Sequence, residues 1–402
     1  MTPILVLTYW SFKDALVQTY TLPYVKIIAR ISRRKVYVVC LEQARVKTSK
    51  EERLQINHEL EPENIEIVFF EYNRFGVKQA LLWIVNLCKL LSLIFVKRVG
   101  LLHAWCTPGG AVGYLLSILS GRPLILDSYE PHAELMAETG TWSKDSLAFK
   151  ILFKLEKLQT RKASVIIGVV EKMKSYSKEK YQYEINGQNF YVKPACVNLE
   201  RFYPRNEDTE LVNKLGLNEK IVGLYAGKFG GIYLENEFFD FFKQCVDHWG
   251  AKFVMLLLTA TPADVVKMQL TRMGVPLDAV IQKFVSYDEV PGYMALADFG
   301  INFMKPVPSR RFSTPIKNGE YWAMGLPVVI TAHISDDSDI IEANNAGYVL
   351  NELTVDEYRY AIEKIDSLLE ENAEERKKRI AALAYKYRNF DIAEDVYKQI
   401  YG

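Results

Sequence analysis

The chain has 402 residues, of which 49% are apolar and 25% charged, with a formal net charge of +1. Such a length exceeds one ordinary domain and supplies a sizeable core, while the near-zero charge excludes nucleic acid or any strongly acidic bulk partner. Five cysteines (Cys40, Cys88, Cys106, Cys196, Cys245) and five histidines are scattered without CxxC or other metal-ligand spacing, so buried free thiols in a reducing compartment and no metal centre are expected.

The opening MTPILVLTYW lacks a basic start followed by a long apolar stretch. It reads as a first β-strand rather than a signal peptide, and a cytoplasmic protein is expected. Further apolar, Val- and Ile-rich runs at 36–41, 65–70, 100–103, 123–127, 164–168 and 189–193 read as strands. Helical periodicity fills the intervals, as at 16–31, 110–119 and 147–161. Strand–helix alternation of this kind specifies a parallel sheet with helices on both faces, whose ligands bind at the carboxyl ends of the strands. A polar stretch at 205–219 breaks the pattern. The alternation then restarts with strands at 221–225, 252–257, 280–284, 299–303, 327–330 and 347–350, and everything beyond Val355 is helical and charged. Two successive parallel α/β units joined near residue 200 are therefore expected.

The segment from Gln79 to Arg98 contains QALLWIVNLCKLLSLIFV, interrupted by Asn86 and Lys89 and surrounded by Arg74, Lys78, Lys97 and Arg98. Two readings stand beside each other. One is a buried helix of the α/β layer. The other is an interfacial helix that presses Trp83 and its leucines and isoleucines into an anionic membrane surface at the inner face of the cell membrane. A spanning helix would remove one element from a continuous sheet.

The stretch from Ser309 to Ile330, SRRFSTPIKNGEYWAMGLPVVI, carries the densest chemistry. Ser313, Thr314 and Pro315 read as the start of a helix over 316–324, which stops at Gly325 before an apolar strand. The free N–H groups and positive dipole end of such a helix can hold a phosphate. Glu320, one turn further in, is placed to accept hydrogen bonds from a hydroxylated group. A nucleoside diphosphate fits that pair, and an ordinary αβ unit is the plainer alternative.

The pattern Pro315-x-Lys317-x-x-Glu320-Tyr-x-Ala323-x-Gly325-x-Pro327-Val-Val resembles the nucleotide-sugar site of retaining glycosyltransferases of the GT-B fold, family-4 type. Tyr225-Ala-Gly227-Lys228-Phe-Gly230-Gly231, Pro194-x-x-Val197-Asn198-x-x-x-Phe202-x-Pro204 and Val285-Ser286-Tyr-Asp-Glu-Val-Pro-x-Tyr293-x-x-x-Ala297-Asp298 resemble further motifs of that family. The resemblance covers most of 160–350. It implies two Rossmann-like domains facing each other across a cleft: an acceptor-binding domain over 1–200, completed by about 386–402 through a last helix that crosses back, and a nucleotide-sugar-binding domain over 201–385.

Chemically, a diphosphate leaving without a metal needs cations and backbone N–H groups to stabilise it. Lys228, Gly230, Ser313, Thr314, Ile316 and Lys317 are the expected donor-binding residues, with Glu320 on the ribose hydroxyls as the resemblance implies. Lys228, Glu320 and His132, the last in Asp127-Ser-Tyr-Glu130-Pro-His132 after a strand, are the expected catalytic group. Glu130, Gly109 and Gly110 are expected on the acceptor side. His103 reads as strand-end packing. The implied reaction moves a sugar from a nucleotide diphosphate sugar to a saccharide or lipid-linked acceptor, with no cofactor and no metal, in surface polysaccharide or glycoconjugate synthesis. Two positions depart from the family pattern: Phe312 stands where an acidic residue reads the sugar, and Leu234 where a second cation faces the phosphates. A non-catalytic partner of another transferase and a nucleotide-sugar epimerase are the alternatives.

Overall fold

Short apolar runs buried on both faces pack as parallel strands covered by helices, and a computed structural model of the chain, describing residues 1–43, 47–72 and 80–402, contains two such sheets. The chain divides into one unit of Met1–Ala195 with Asp391–Gly402 and another of Cys196–Phe390.

The first unit runs β1 (Ile4–Leu7), α1 (Leu22–Ser32), β2 (Val36–Glu42), α2 (Lys50–Leu60), β3 (Ile65–Glu71), α3 (Ala80–Val96), β4 (Leu101–Trp105), α4 (Cys106–Ser120), β5 (Leu124–Tyr129), α5 (His132–Glu138), α6 (Leu147–Lys162), β6 (Val165–Gly168), α7 (Met173–Tyr176) and β7 (Phe190–Val192). Its sheet has the order β3-β2-β1-β4-β5-β6-β7, all parallel, with Ile4 in register with Val36 on one side and Leu101 on the other. The order reverses between β1 and β4. Right-handed crossovers then place α1 and α2 on one face and α3, α4 and α6 on the other.

The second unit runs α8 (Thr209–Leu215), β8 (Ile221–Ala226), α9 (Asn236–Trp249), β9 (Phe253–Leu258), α10 (Ala263–Met273), β10 (Val280–Lys283), α11 (Val290–Met294), β11 (Phe299–Asn302), α12 (Ile316–Ala323), β12 (Val328–Thr331), α13 (Asp337–Ala343), β13 (Gly347–Leu350), α14 (Val355–Leu369) and α15 (Ala373–Arg388). Its parallel sheet is ordered β10-β9-β8-β11-β12-β13 and reverses between β8 and β11. Two apolar clusters sandwich it, one around Trp322, Tyr321 and Ile380, the other around the phenylalanines of α9. From Asp391 onward, α16 (Phe390–Tyr401) belongs to the first unit.

The α/β class and the two Rossmann-like sheets agree with the sequence reading, and every expected strand forms within two residues of its expected ends. Three expectations change. The polar stretch 205–219 contains α8, because Asp208 caps it by accepting the N–H groups of Glu210 and Leu211 and left-handed Gly216 closes it. Only Cys40, Cys196 and Cys245 are buried, whereas Cys88 is exposed and Cys106 partly so. The segment read either as a buried or as an interfacial helix is helical over Ala80–Val96 and buried on one side only: Leu90 and Ile94 are buried, whereas Leu81 is 74% and Val96 73% exposed. Arg74, Lys78 and Gln79 lie outside the described residues. No described helix is long and apolar enough to cross a membrane.

A buried polar network ties α16 to the first sheet. Asp127, fully buried at the end of β5, receives Lys193 Nζ at 3.1 Å, His103 Nε2 at 3.0 Å and the Tyr397 hydroxyl at 2.6 Å. The other His103 nitrogen meets the Tyr401 hydroxyl at 2.5 Å. Lys193 Nζ also lies over the rings of Tyr24 and Trp105, at 3.8 and 4.8 Å. Burial by itself pushes the Asp127 carboxyl up; the Lys193 ammonium, the His103 ring and the Tyr397 hydroxyl outweigh it and hold the group down at about 2. His103 is thus part of the packing at the strand end, as its place in LLHAW suggests.

Candidate functional site

In a doubly wound sheet the ligand crevice opens at the carboxyl ends of the strands, where their order reverses. In the second unit that point lies between neighbouring β8 and β11, and the chain leaving each of them carries an expected site residue. After β8 comes Gly227, at φ +140°, then exposed Lys228 and a turn through Gly230 and Gly231, with Tyr233 N–H donating to the Gly230 carbonyl at 3.1 Å. The returning segment pairs with the chain beyond β11: Leu234 N–H donates to the Phe303 carbonyl and Lys305 N–H to the Ile232 carbonyl. Leu234 packs into the phenylalanine cluster. A side chain at 234 therefore belongs to the core.

After β11 the chain makes a 3-10 turn over Pro308–Phe312 and enters α12. Ser313 is buried and its Oγ donates to the Arg310 carbonyl at 3.1 Å. Pro315 is the N-cap and offers no side-chain cap. The first N–H groups of α12, those of Ile316 and Lys317, thus lack the oxygen acceptor that a capping side chain provides.

Lys317 sits in this first turn. Its Nζ is shut off from solvent and has no hydrogen-bond partner among the described residues. The ammonium lies 3.9 Å from the ring centre of Tyr233 and 5.0 Å from that of Tyr225. Those rings attract a cation but supply no acceptor oxygen. Burial lowers its pKa to about 7; the neighbouring Lys228 charge adds to that effect and the Glu320 carboxylate opposes it. Gly227 is what gives the ammonium room, since a Cβ there would stand 2.2 Å from Nζ, in a left-handed conformation that side chains rarely adopt. Gly227→Ala is accordingly expected to cost this unit about 1–3 kcal/mol of unfolding free energy, read by urea titration.

Glu320 follows on the same helix, 7% exposed, and its Oε1 accepts the Tyr287 hydroxyl at 3.1 Å. Burial pushes its carboxyl up to about 7, against the pull of the Tyr287 hydrogen bond and the Lys317 charge. Tyr287 is itself held between Phe202, at 5.6 Å centre to centre, and the Arg201 guanidinium over its ring at 5.0 Å. The footing of α12 is a second polar chain. Asn302 Nδ2 donates to Asn318 Oδ1 at 2.7 Å, Asn318 Nδ2 to Asp337 Oδ2 at 2.8 Å, and Arg388 Nη2 to the other Asp337 oxygen.

The second unit thus brings Lys228, Lys317 and Glu320 into one electrostatic neighbourhood, with Gly230 on the same loop as Lys228 and Ser313, Thr314 and Ile316 at the start of α12. The arrangement suits a ligand with an anionic part, facing two cations and an uncapped helix start, and a hydroxylated part at Glu320 and Tyr287. Tyr225, Tyr233 and Tyr287 had no assigned role in the sequence reading. Tyr225 lies within the last two residues of β8, and Tyr233 and Tyr287 lie in the segments that follow β8 and β10, but aromatic residues at and beyond strand ends are ordinary core residues in most sequences.

The remaining expected residues belong to the first unit. Gly109 and Gly110 lie inside α4 at that sheet's own switch point. A Cβ on Gly109 would stand 2.8 Å from the Leu7 carbonyl oxygen, and one on Gly110 would overlap the Gln159 side chain. Glu130 is half-buried after β5, with its carbonyl accepting the Thr107 hydroxyl at 2.6 Å. His132 begins α5 and turns its ring edgewise to Trp142, 6.3 Å between centres. The buried carboxylate of Glu156 accepts the N–H of Ala133 at 2.8 Å and the Tyr181 hydroxyl at 3.0 Å, so it caps the helix that His132 opens. Between Asp127 and Glu130, Ser128 adopts φ +50°, a strained turn at the end of β5. Among the described residues no group of three or more His, Cys, Asp or Glu side chains could hold a metal ion.

No family model matches the sequence, and no curated protein matches it. Solved structures do match along the whole chain. Alr3699/HepE of Anabaena, solved in complex with UDP, is 16% identical with a TM-score of 0.72, covering 100% of this chain and 99% of its own. Sucrose-phosphate synthase of Thermosynechococcus elongatus is 13% identical with a TM-score of 0.71, covering 100% and 98%. WaaG, a glycosyltransferase involved in lipopolysaccharide biosynthesis, is 13% identical with a TM-score of 0.69, covering 98% of each chain. The likeness establishes the fold, which is the two-domain GT-B architecture.

Proposed function

We propose that this chain is a glycosyltransferase that moves a sugar from a nucleotide diphosphate sugar to a saccharide or lipid-linked acceptor, in the synthesis of a surface polysaccharide or glycoconjugate. The observation that carries the reading is Lys317: a cation with no hydrogen-bond partner among the described residues, out of solvent, at an uncapped helix start one turn before Glu320. A buried donor without an acceptor is costly in an empty site and valuable once an anion arrives. Lys317, Lys228 and the N–H groups of Ile316 and Lys317 would hold the diphosphate and stabilise its charge as it leaves, so that the step needs no metal. Glu320, steadied by Tyr287, would accept the ribose hydroxyls. The HepE structures with UDP, with UDP and glucose and with UDP-glucose support a nucleotide-sugar donor.

In this reading the Cys196–Phe390 unit binds the donor, and the first unit binds the acceptor through Glu130 and the chain around Gly109 and Gly110, with His132 at the reacting sugar. Retention of configuration is part of the proposal through the motif resemblance of 315–329. One observation favours a second reading, a non-catalytic partner of another transferase: Phe312, half-buried before α12, has no oxygen with which to bind the donor sugar's hydroxyls.

Thermal shift with UDP-, GDP-, ADP- and CMP-sugars separates these readings. One donor is expected to stabilise the protein by ~2.7 kcal/mol when present at about 100 times its dissociation constant, and Glu320→Ala and Lys228→Ala are each expected to weaken it. No shift with any nucleotide sugar would reject the donor site. A shift without transfer to any acceptor would favour the non-catalytic reading.

A further inference from the structure

Helices that cover a sheet normally turn an apolar stripe inward and a polar face to water. The layer formed by α3, α4 and α6, with α3 packed on α4 and α4 on α6, does otherwise. Leu81 and Phe95 of α3, Ile118 and Leu119 of α4, and Leu147 and Ile151 of α6 are all more than half exposed. Single exposed leucines are ordinary, but a run of them over three adjacent helices marks a surface that meets a partner.

The charges on the same layer are one-sided. Residues 80–98 and 106–122 contain no aspartate or glutamate, and 147–162 contains only Glu156, which is buried. Lys89, Arg98, Lys150 and Lys154 are exposed on it. A second copy docked face to face by two-fold symmetry would set these cations against one another. An apolar surface studded with cations and free of exposed acid is what an anionic lipid surface takes up: side chains enter the headgroup boundary while lysines meet the phosphates.

We propose that the outer face of α3, α4 and α6 is the surface by which this protein lies on an anionic membrane. The contact is wider than the segment from Gln79 to Arg98, because Leu115, Ile118 and Leu119 of α4 and Leu147 and Ile151 of α6 extend the exposed apolar surface of α3. It is interfacial, since no described helix is long and apolar enough to span. The proposal goes beyond the donor-site reading and does not depend on it, because vesicle binding and nucleotide binding are measured separately and either can fail alone.

The test is flotation of the full chain with phosphatidylcholine vesicles made with and without phosphatidylglycerol. The chain is expected to float with the anionic vesicles, weakly with the neutral ones, and less as salt rises. Lys150→Gln and Lys154→Gln are each expected to lower partition by about fivefold, the ratio equivalent to ~1 kcal/mol per near-surface cation. Ile118→Asp with Ile151→Asp is expected to abolish it. An unchanged melting temperature in the lysine variants shows that folding is intact. Three results would overturn the proposal: no flotation with either vesicle, partition that ignores the α4 and α6 substitutions, or a dimer on gel filtration that Ile151→Asp dissolves.

Discussion

Lys317→Met is expected to weaken binding of UDP, or of whichever nucleoside diphosphate the thermal-shift panel selects, by roughly 10- to 150-fold, the span of a charged hydrogen bond. The melting temperature of the empty protein should stay level or rise. The two effects have opposite signs for one reason. Without a ligand, Nζ gives up its water for the faces of Tyr225 and Tyr233 and the charge of nearby Glu320, with no acceptor oxygen among the described residues, so a methionine of similar length removes a desolvation cost along with the charge. A surface lysine would show neither effect, and one needed for folding would lower the melting temperature. Titration calorimetry and a thermal melt decide the matter; methionine binding as tightly as lysine would place Lys317 away from the phosphates.

A pH signature accompanies it. The Lys317 pKa falls to about 7 in the folded protein and would rise again beside a diphosphate. Binding above pH 7 should therefore take up a proton, and affinity should fall as pH rises from 7 to 9, by up to about tenfold per unit. In Lys317→Met that slope should disappear. Stability of the empty site has its own sign. With the Lys317 pKa lowered, the unfolded chain holds more protons between pH 7 and the ordinary lysine range, so this group makes stability rise with pH there. The Glu320 pKa is raised to about 7, so its contribution is fully present below the ordinary glutamate range and is lost as pH rises to about 7. Together the two groups make the empty site least favourable near neutral pH, which is where a ligand that brings its own negative charge gains most by filling it.

Asp127→Asn is expected to destabilise the first unit by about 3–5 kcal/mol, because it leaves Lys193 charged, fully buried and without its counter-ion. For a unit of this size that corresponds to a fall in melting temperature of roughly 6–20 °C, read as a calorimetric transition. Tyr397→Phe removes one hydrogen bond to the same carboxylate and should cost less, about 1.5–3 kcal/mol. In the wild type, the Asp127 carboxyl is held at about 2, below its unfolded value. Its contribution is complete above the ordinary aspartate range and is lost as pH falls from that range to about 2, so Asp127 is not the residue at which mild acid unfolds the protein. An Asp127→Asn protein that melts with the wild type would show that the Asp127–Lys193 pair does not hold the first unit together.

Phe312 and Leu234 set limits on what these experiments can return. Leu234 sits in the phenylalanine cluster, so in the proposed site a second phosphate cation does not come from position 234; Lys317, entering from the neighbouring strand's connection, would supply it. In the proposed donor site, Phe312 leaves the sugar half without a carboxylate at that position. The nucleotide half is therefore where substitutions should act most strongly.

The strand runs, their alternation with helices and hence the two parallel sheets were legible in the residues alone, because residues buried on both faces of a sheet must be apolar over their whole length. So were α12 and its chemistry, since Thr314, Pro315, Lys317, Glu320 and Gly325 fall within one helix and its caps. Local composition could not decide what lay across the fold. Only the tertiary structure showed that β8 and β11 are neighbours, so that Lys317 meets Tyr225, Tyr233 and the space left by Gly227, residues about ninety positions earlier. It was also the tertiary structure that turned the apolar residues of α3, α4 and α6 outward. Hydrophobic periodicity records how apolar a helix is, whereas burial depends on what packs against it. The polar stretch at 205–219 hid a helix with the local caps Asp208 and Gly216, whereas Asp127, His103 and Lys193, far apart along the chain, meet in one buried network with α16.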